Sequence, residues 1–210
     1  MSQVPPTTRI PRRERNKTRT REALVQAALA RYRDQGFENT TIDQIAADAD
    51  VSRRTFFRYF PCKAAVCFPH VDDWMAGLTR QMGDRPEGEP PFTALRRACL
   101  ALSREFETSR EHLLFQQGLV SASPVLTAYE KQVNARWAEV VEASLTLGEA
   151  APAELRRQLR IFAGAVTGAL LATVQQWLNE GGEGDLGRAA QKAMDMLEYG
   201  LAREIPELTR

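Results

Sequence analysis

Histidine and cysteine are scarce in this 210-residue chain, with two of the first and three of the second. Only His70 and His112 could supply an imidazole, and neither a Gly-x-Ser-x-Gly elbow nor a His-Glu-x-x-His motif occurs, so an enzyme is not expected. The stretch GGEGDLG at 181–187 lacks the Gly-Lys-Ser/Thr ending of a phosphate-binding loop and reads as a connector, and no cofactor is expected. An odd number of cysteines in so long a chain does not look like a disulfide framework. Alternating β-branched runs and Asn-Gly or Asp-Gly hairpin signals are also missing, which argues against a sheet. The longest apolar stretch, IFAGAVTGALLATV at 161–174, is too short to span a bilayer and is diluted by Thr and Gly. No apolar run follows the basic residues near the start, so neither export nor membrane insertion is expected, and the protein is placed in the cytoplasm.

What is present is unevenly spread. Residues 1–68 carry 13 Lys and Arg against 7 Asp and Glu, whereas residues 69–210 carry 15 against 20, although the whole chain is formally only +1. A basic front and an acidic rear orient a molecule towards a polyanion front end first. Most of the asymmetry comes from Arg9, Arg12, Arg13, Arg15, Lys17, Arg19 and Arg21.

Helical periodicity runs through nearly all of the chain. A first helix over about 17–35 aligns Leu24, Ala27, Ala28 and Tyr32 and ends at Gly36, a natural left-handed cap. A second starts at the N-cap candidate Thr41 and turns Ile42, Ile45, Ala46 and Ala49 inward. A third follows Ser52 and stops at Pro61, leaving only a tight turn, Asp50-Val51-Ser52, between the two. Two short helices joined by a few residues behind a longer one make the trihelical unit of a helix-turn-helix DNA-binding domain. Further helices are expected over about 63–82, with a kink at Pro69, and over 92–109, 111–121, 124–147, 152–180 and 185–203, separated by Pro/Gly punctuation. The expectation is an all-α protein of about nine helices. It divides into a basic disordered arm (1–16), a helix-turn-helix domain (17–62), and a larger helical domain (63–210).

The third helix holds four aromatic residues within five positions, flanked by arginines. At 100° per residue Phe56 and Phe60 share one face, with Tyr59 beside it, while Arg54, Phe57 and Arg58 lie opposite. Half of the cluster is core and half sits on an outward, arginine-bearing face.

The run AALARYRDQGFENTTIDQIAADADVSRRTFFRYFPCK resembles the TetR-type transcriptional regulators of bacteria. It shares their two alanines and aromatic, Gly-aromatic, paired threonines, Ile-Ala, Val-Ser, Thr-aromatic-aromatic, aromatic-Phe and a Lys three residues later. The resemblance is close over roughly residues 20–67 and only architectural beyond residue 70. It implies a homodimer that reads a palindromic operator on double-stranded DNA, acting as a repressor released when its C-terminal domain binds a small apolar effector such as an acyl chain or acyl-CoA. Asp50 stands where the family most often has Gly at a left-handed turn position, and Phe57 where Tyr is common.

On that frame Arg54 is assigned to base edges, because a guanidinium fork matches guanine O6 and N7, with Arg53 and Arg58 on bases or phosphates and Phe57 in apolar contact. Thr41, Ser52, Thr55, Tyr59 and Lys63 are expected to hold phosphates, and Arg12, Arg13 and Arg15 to reach the minor groove or backbone. Trp74, Phe106, Phe115, Tyr129, Trp137, Phe162 and Trp177 are the candidates for an effector pocket. Gly164, Gly168 and Ala172, small enough for close backbone approach, and Met194, Leu197 and Leu201 are the candidates for a dimer interface. A competing reading is a metal- or thiol-responsive regulator using Cys62, Cys67 and His70, although Cys62 and Cys67 are five apart, a poorly convergent spacing on a helix.

Overall fold

The computed structural model describes residues 12–145 and 152–200, and these form nine α-helices and no strand. The helices are α1 (Arg12–Gln35), α2 (Ile42–Asp48), α3 (Arg53–Tyr59), α4 (Val71–Gly83), α5 (Pro91–Thr108), α6 (Arg110–Ala122), α7 (Pro124–Leu145), α8 (Ala153–Asn179) and α9 (Leu186–Tyr199), with a 3-10 turn at Ala64–Cys67. The chain divides into two compact units, Met1–Pro69 and His70–Arg210.

In the first unit, α1 buries Leu24, Val25, Ala28, Leu29 and Tyr32, α2 buries Ile45 and Ala46, and α3 contributes Phe56. Each large apolar side chain taken fully from water stabilises the unit by roughly 1.5–3 kcal/mol. The start of α2 is fixed by a capping box: Thr41 Oγ1 accepts from the Gln44 N–H at 3.2 Å, and Gln44 Oε1 accepts from the Thr41 N–H at 2.8 Å. At the start of α3, Ser52 Oγ accepts from the Thr55 N–H at 3.1 Å. Between them Asp50 adopts φ 52°, the left-handed geometry that the turn requires.

Two boundaries differ from the sequence expectation. Helix α1 begins at Arg12, so residues 12–16 are helical and not an irregular arm; Arg15, Lys17 and Arg19 are exposed along it. The arm before residue 12, and the side chains of Arg12 and Arg13, lie outside the described residues. Nor does a kinked helix run over 63–82. The 3-10 turn ends at Cys67, Phe68 adopts φ −118° and ψ 52°, and α4 starts only at Val71. Proline at 69 disfavours helical geometry in the residue before it, and here that breaks the helix instead of bending it.

In the second unit α8 packs on α7 and α9, and α5 packs on α4 and α9. By length and composition α8 could cross a bilayer, but Leu159, Phe162, Ala163, Val166, Thr167, Trp177 and Leu178 are buried against the chain's own helices. Its exposed side carries Ile161, Gly164, Gly168 and Ala172.

Candidate nucleic-acid interface and apolar cavity

Helix α3 sorts its side chains as its periodicity demands. Phe56 is fully buried and stacks near Phe60, ring centroids 5.9 Å apart, whereas Arg53, Arg54, Phe57 and Arg58 are exposed and Thr55 and Tyr59 half-buried. Phe57 is 46% exposed, an unusual place for so large an apolar ring. It is held by an edge contact to Phe56, 5.5 Å between centroids, and by the Arg53 guanidinium 5.6 Å from its centre. Arg58 lies 5.1 Å from the centre of the Tyr59 ring. The surface therefore presents the Phe57 ring edged with guanidinium groups.

Arg53 Nη1 pairs with Asp43 Oδ2 at 2.8 Å and ties the first turn of α3 to that of α2. Both partners are exposed, so the pair contributes only about 0–1 kcal/mol and exchanges easily for another anion. Behind it a two-pronged Arg31–Asp48 pair, 2.6 and 2.8 Å, links α1 to α2. The Arg31 hydrogen bond holds the Asp48 carboxyl below its usual pKa. The expected surface residues Thr41, Ser52, Arg53, Arg54, Phe57 and Arg58 are thus exposed on α2, α3 and the turn between them, but Thr41 and Ser52 also cap the helices that display the arginines.

Lys63 reaches across to the loop that precedes α2. Its Nζ donates to Phe37 O at 2.6 Å and Thr40 O at 2.7 Å, with a longer contact to Glu38 O at 3.5 Å, and lies 4.1 Å from the centre of the Phe37 ring. These contacts tie the Lys63 amine to the loop between α1 and α2. Burial pushes the amine pKa below the ordinary lysine value. Tyr32 closes the circuit by donating its hydroxyl to Lys63 O at 3.1 Å, and burial pushes that phenol's pKa up.

Within the second unit an apolar pocket, about 430 Å³ when measured out to its open mouth, lies between α4, α5, α7 and α8, walled by Leu78, Cys99, Leu102, Phe106, Trp137, Val141, Thr167, Leu170, Leu171 and Val174. A smaller space, about 300 Å³ on the same open-mouthed measure, shares Cys99, Leu102, Phe106, Leu170 and Val174 with it. A more polar cleft of about 790 Å³, measured out to its open mouth, lies between α4 and α5 and includes His70, Asp73, Trp74, Arg80, Gln81 and Glu105. Leu78 and Leu102 belong to both the cleft and the main cavity.

Of the seven aromatic candidates, Phe106 and Trp137 line the apolar cavity and Trp74 lines the cleft. Phe162 does not: it is buried against Phe92, ring centroids 5.8 Å apart. Trp177 is packed with Leu113, Leu178 and Leu186, and its indole N–H donates to Gly184 O at 3.4 Å. Phe115 and Tyr129, both half-buried, are absent from these walls. Leu78, Leu102, Val141, Leu170 and Val174 were missed, because an aliphatic residue facing a cavity has the same sequence pattern as one facing the core.

The dimer candidates also separate. Gly164 and Gly168 face open space, with nothing within 4 Å of where a Cβ would stand, and Ala172 is exposed on the same helix. Met194 is fully buried within its own chain and so cannot meet a partner, Leu197 is half-buried, and Leu201 lies outside the described residues. Exposed Met196 and Tyr199 stand on α9 instead.

Among the described residues no three His, Cys, Asp or Glu side chains converge on a point where a metal could bind. Burial raises the Cys67 and Cys99 thiols to about 12, so both stay protonated and unreactive near neutral pH.

Comparison with known proteins agrees with this geometry. Residues 24–67 match the family model of bacterial regulatory proteins of the tetR family, and residues 89–202, more than half of the chain, match the model of the MftR C-terminal domain. TcmR of Streptomyces glaucescens, an HTH-type transcriptional regulator, is 37% identical over 90 residues, spanning 43% of this chain and 40% of TcmR. MftR of Mycobacterium tuberculosis is 26% identical over 191 residues, 90% of this chain and 94% of MftR. The crystal structure of Thermus thermophilus FadR, a TetR-family repressor in complex with lauroyl-CoA, superposes with a TM-score of 0.57 at 25% identity, covering 86% of this chain and 94% of FadR. A three-helix reading head of this sequence and a C-terminal helical domain matched over its length leave one assignment: the chain belongs to the TetR family of bacterial transcriptional regulators.

Proposed function

We propose that the protein is a homodimeric repressor that binds a palindromic operator through α3 and leaves it when a small apolar effector occupies the cavity between α4, α5, α7 and α8. The observation that carries the reading is the exposed Arg54–Phe57–Arg58 face of α3, set on a buried Phe56 and capped by Ser52. Arg54 reads base edges in the major groove, Phe57 packs against a thymine methyl, and Arg53 and Arg58 reach bases or phosphates. Thr41, Ser52, Thr55 and Tyr59 position the helix through phosphate contacts, with Arg15 extending the basic surface along α1. The exposed strip Ile161, Gly164, Gly168 and Ala172 on α8, with Met196 and Tyr199 on α9, supplies the face for a second copy. Acting on bacterial DNA, such a regulator works in the cytoplasm.

The walls of the cavity favour a hydrocarbon occupant. An acyl chain meets that demand, FadR in complex with lauroyl-CoA is a precedent for such a ligand, and a coenzyme A head group would need the polar cleft that holds Arg80 and Gln81. Release follows only if the effector binds the arrangement that cannot hold DNA more tightly, and the coupling is reciprocal, typically 5- to 150-fold. The test is fluorescence anisotropy on a palindrome selected from random duplex DNA, followed by titration of lauroyl-CoA with and without that duplex. Sequence-specific binding by a dimer, weakened by the ligand, is the expected result. Failure to select any palindrome would sink the DNA-binding reading, and equal ligand affinity in the two titrations would sink release by this ligand.

A further inference from the structure

Arg53, the first residue of α3, is held from two sides. Its Nη1 donates to Asp43 Oδ2 at 2.8 Å, and its guanidinium carbon lies 5.6 Å from the centre of the Phe57 ring. Asp43 stands in the first turn of α2, whose start is fixed by the Thr41–Gln44 capping box, and Arg53 follows the Ser52 cap of α3. The caps of two helices thus set where both side chains begin. The pair itself is open to solvent, with side-chain exposures of 58% for Arg53 and 66% for Asp43, so it adds little to the fold. Its consequence lies in what Arg53 can still bind. One of five N–H donors is spent on Asp43, and the guanidinium retains an edge with two parallel donors, the pattern that fits guanine O6 and N7.

Asp43 also places a carboxylate beside the basic face of α3. The exposed charges of that helix are Arg53, Arg54 and Arg58, all attractive to phosphate, and an acid beside them weakens the attraction to every duplex alike. A phosphate that drew Arg53 away from Asp43 would have to come close to that acid, and like charges repel. A base edge carries no such charge. The one carboxylate therefore disfavours a phosphate contact for Arg53 and leaves a base contact open. We propose that Asp43 is a specificity-determining residue of operator binding, which positions Arg53 for a base edge and penalises binding through phosphates alone. The inference rests on reading α3 as the helix that meets the operator, and it narrows the role of Arg53 from bases or phosphates to a base.

The test takes the palindrome selected by the wild-type protein, a panel of its single-base variants, and a duplex of equal length with scrambled half-sites. Anisotropy titrations at two salt concentrations compare the full-length wild type with Asp43→Asn, Asp43→Glu, Arg53→Ala and the double variant Asp43→Asn with Arg53→Ala. Arg53→Ala should flatten the preference at one operator position, worth about 5- to 150-fold in the wild type. Asp43→Asn should lower the preference at that same position by about threefold or more. It should also bind the scrambled duplex about two- to tenfold more tightly at low salt, a gain that fades as salt rises. Asp43→Glu, which keeps the charge, should retain more of the preference than Asp43→Asn. The double variant should discriminate no worse than Arg53→Ala, because Asp43 acts through Arg53. An unchanged preference in Asp43→Asn would overturn the proposal, even with tighter binding of the scrambled duplex. So would a lowered melting temperature with an equal loss for every duplex, the mark of a fold contact, or an Arg53→Ala variant that keeps every base preference and only weakens all sequences alike. In each of these cases the wild type still selects an operator, so the regulator reading stands and the inference alone falls. Failure to select any operator would remove both.

Discussion

Lys63 Nζ donates to the carbonyl oxygen of Phe37 at 2.6 Å and stands 4.1 Å from the centre of the same residue's ring. One side chain thereby fastens the residue after α3 and its proline to the loop that leads into α2. We propose that this lysine, three residues beyond the paired aromatics, serves the fold through these contacts more than it serves a phosphate. Lys63→Met, which keeps much of the stem and loses the donors, should therefore destabilise the N-terminal unit by about 1–3 kcal/mol. Denaturant unfolding checks the stability loss. Operator binding by the folded fraction should keep its salt dependence; a slope reduced by one counterion per half-site would return Lys63 to the phosphate backbone.

Arg54 and Arg58 share the exposed face of α3 but are expected to fail differently. Arg54→Ala should relax the preference at one operator position and cost about 1–3 kcal/mol per half-site. Arg58→Ala, next to Tyr59, should weaken all sequences alike and lower the salt slope by about one per half-site. Binding to a panel of operator variants at several salt concentrations distinguishes them, and a uniform loss for both would cancel the assignment of Arg54 as reader.

Asp50 sits at φ 52°, in a region that β-branched side chains strongly resist. Asp50→Val should cost about 1–2 kcal/mol, whereas Asp50→Gly should be neutral or mildly stabilising, relief of the backbone being offset by the greater freedom of the unfolded chain. Thermal melts of the two variants decide the point. Equal stability would mean that the turn relaxes out of the left-handed geometry.

The reading head was legible because its information is local. Thr41, Asp50 and Ser52 fix two helix starts and one turn within a dozen residues, and the 100° step then places Phe56 inward and Phe57 outward without reference to the rest of the chain. The cavity was not legible, because its walls are assembled from four helices far apart in sequence. Large aromatics such as Phe162 and Trp177 drew attention by size, yet size is also what makes a ring worth burying against Phe92 or Leu186. The charge of Lys63 was visible in the same way, and the loop carbonyls that receive it were not.

The three cysteines should react in sequence. Cys62 is half-buried, whereas Cys67 and Cys99 are buried with thiols raised to about 12. Iodoacetamide at neutral pH should modify Cys62 in the native protein and the other two only on unfolding, as peptide mass mapping would show. Rapid native alkylation of Cys67 would revive a thiol-sensing role.

The last prediction separates an interface from a core on adjoining helices. Gly168 on α8 faces open space, so a large side chain fits there within one chain but obstructs a partner that approaches closely; Met194 on α9 has no exposure at all and can only report on its own chain. Gly168→Trp should thus leave the fold and its melting temperature nearly unchanged while weakening the dimer. Met194→Ala should lower stability by about 2–5 kcal/mol through the cavity it leaves. Loss of pairing costs operator affinity more than nonspecific affinity, because only a dimer holds two recognition helices at once on the two half-sites. Sedimentation velocity on Gly168→Trp, read beside its circular dichroism melt, gives the answer. A dimer of undiminished strength would remove the Gly164–Gly168–Ala172 strip from the interface and leave α9, with Met196 and Tyr199, as the face to test next.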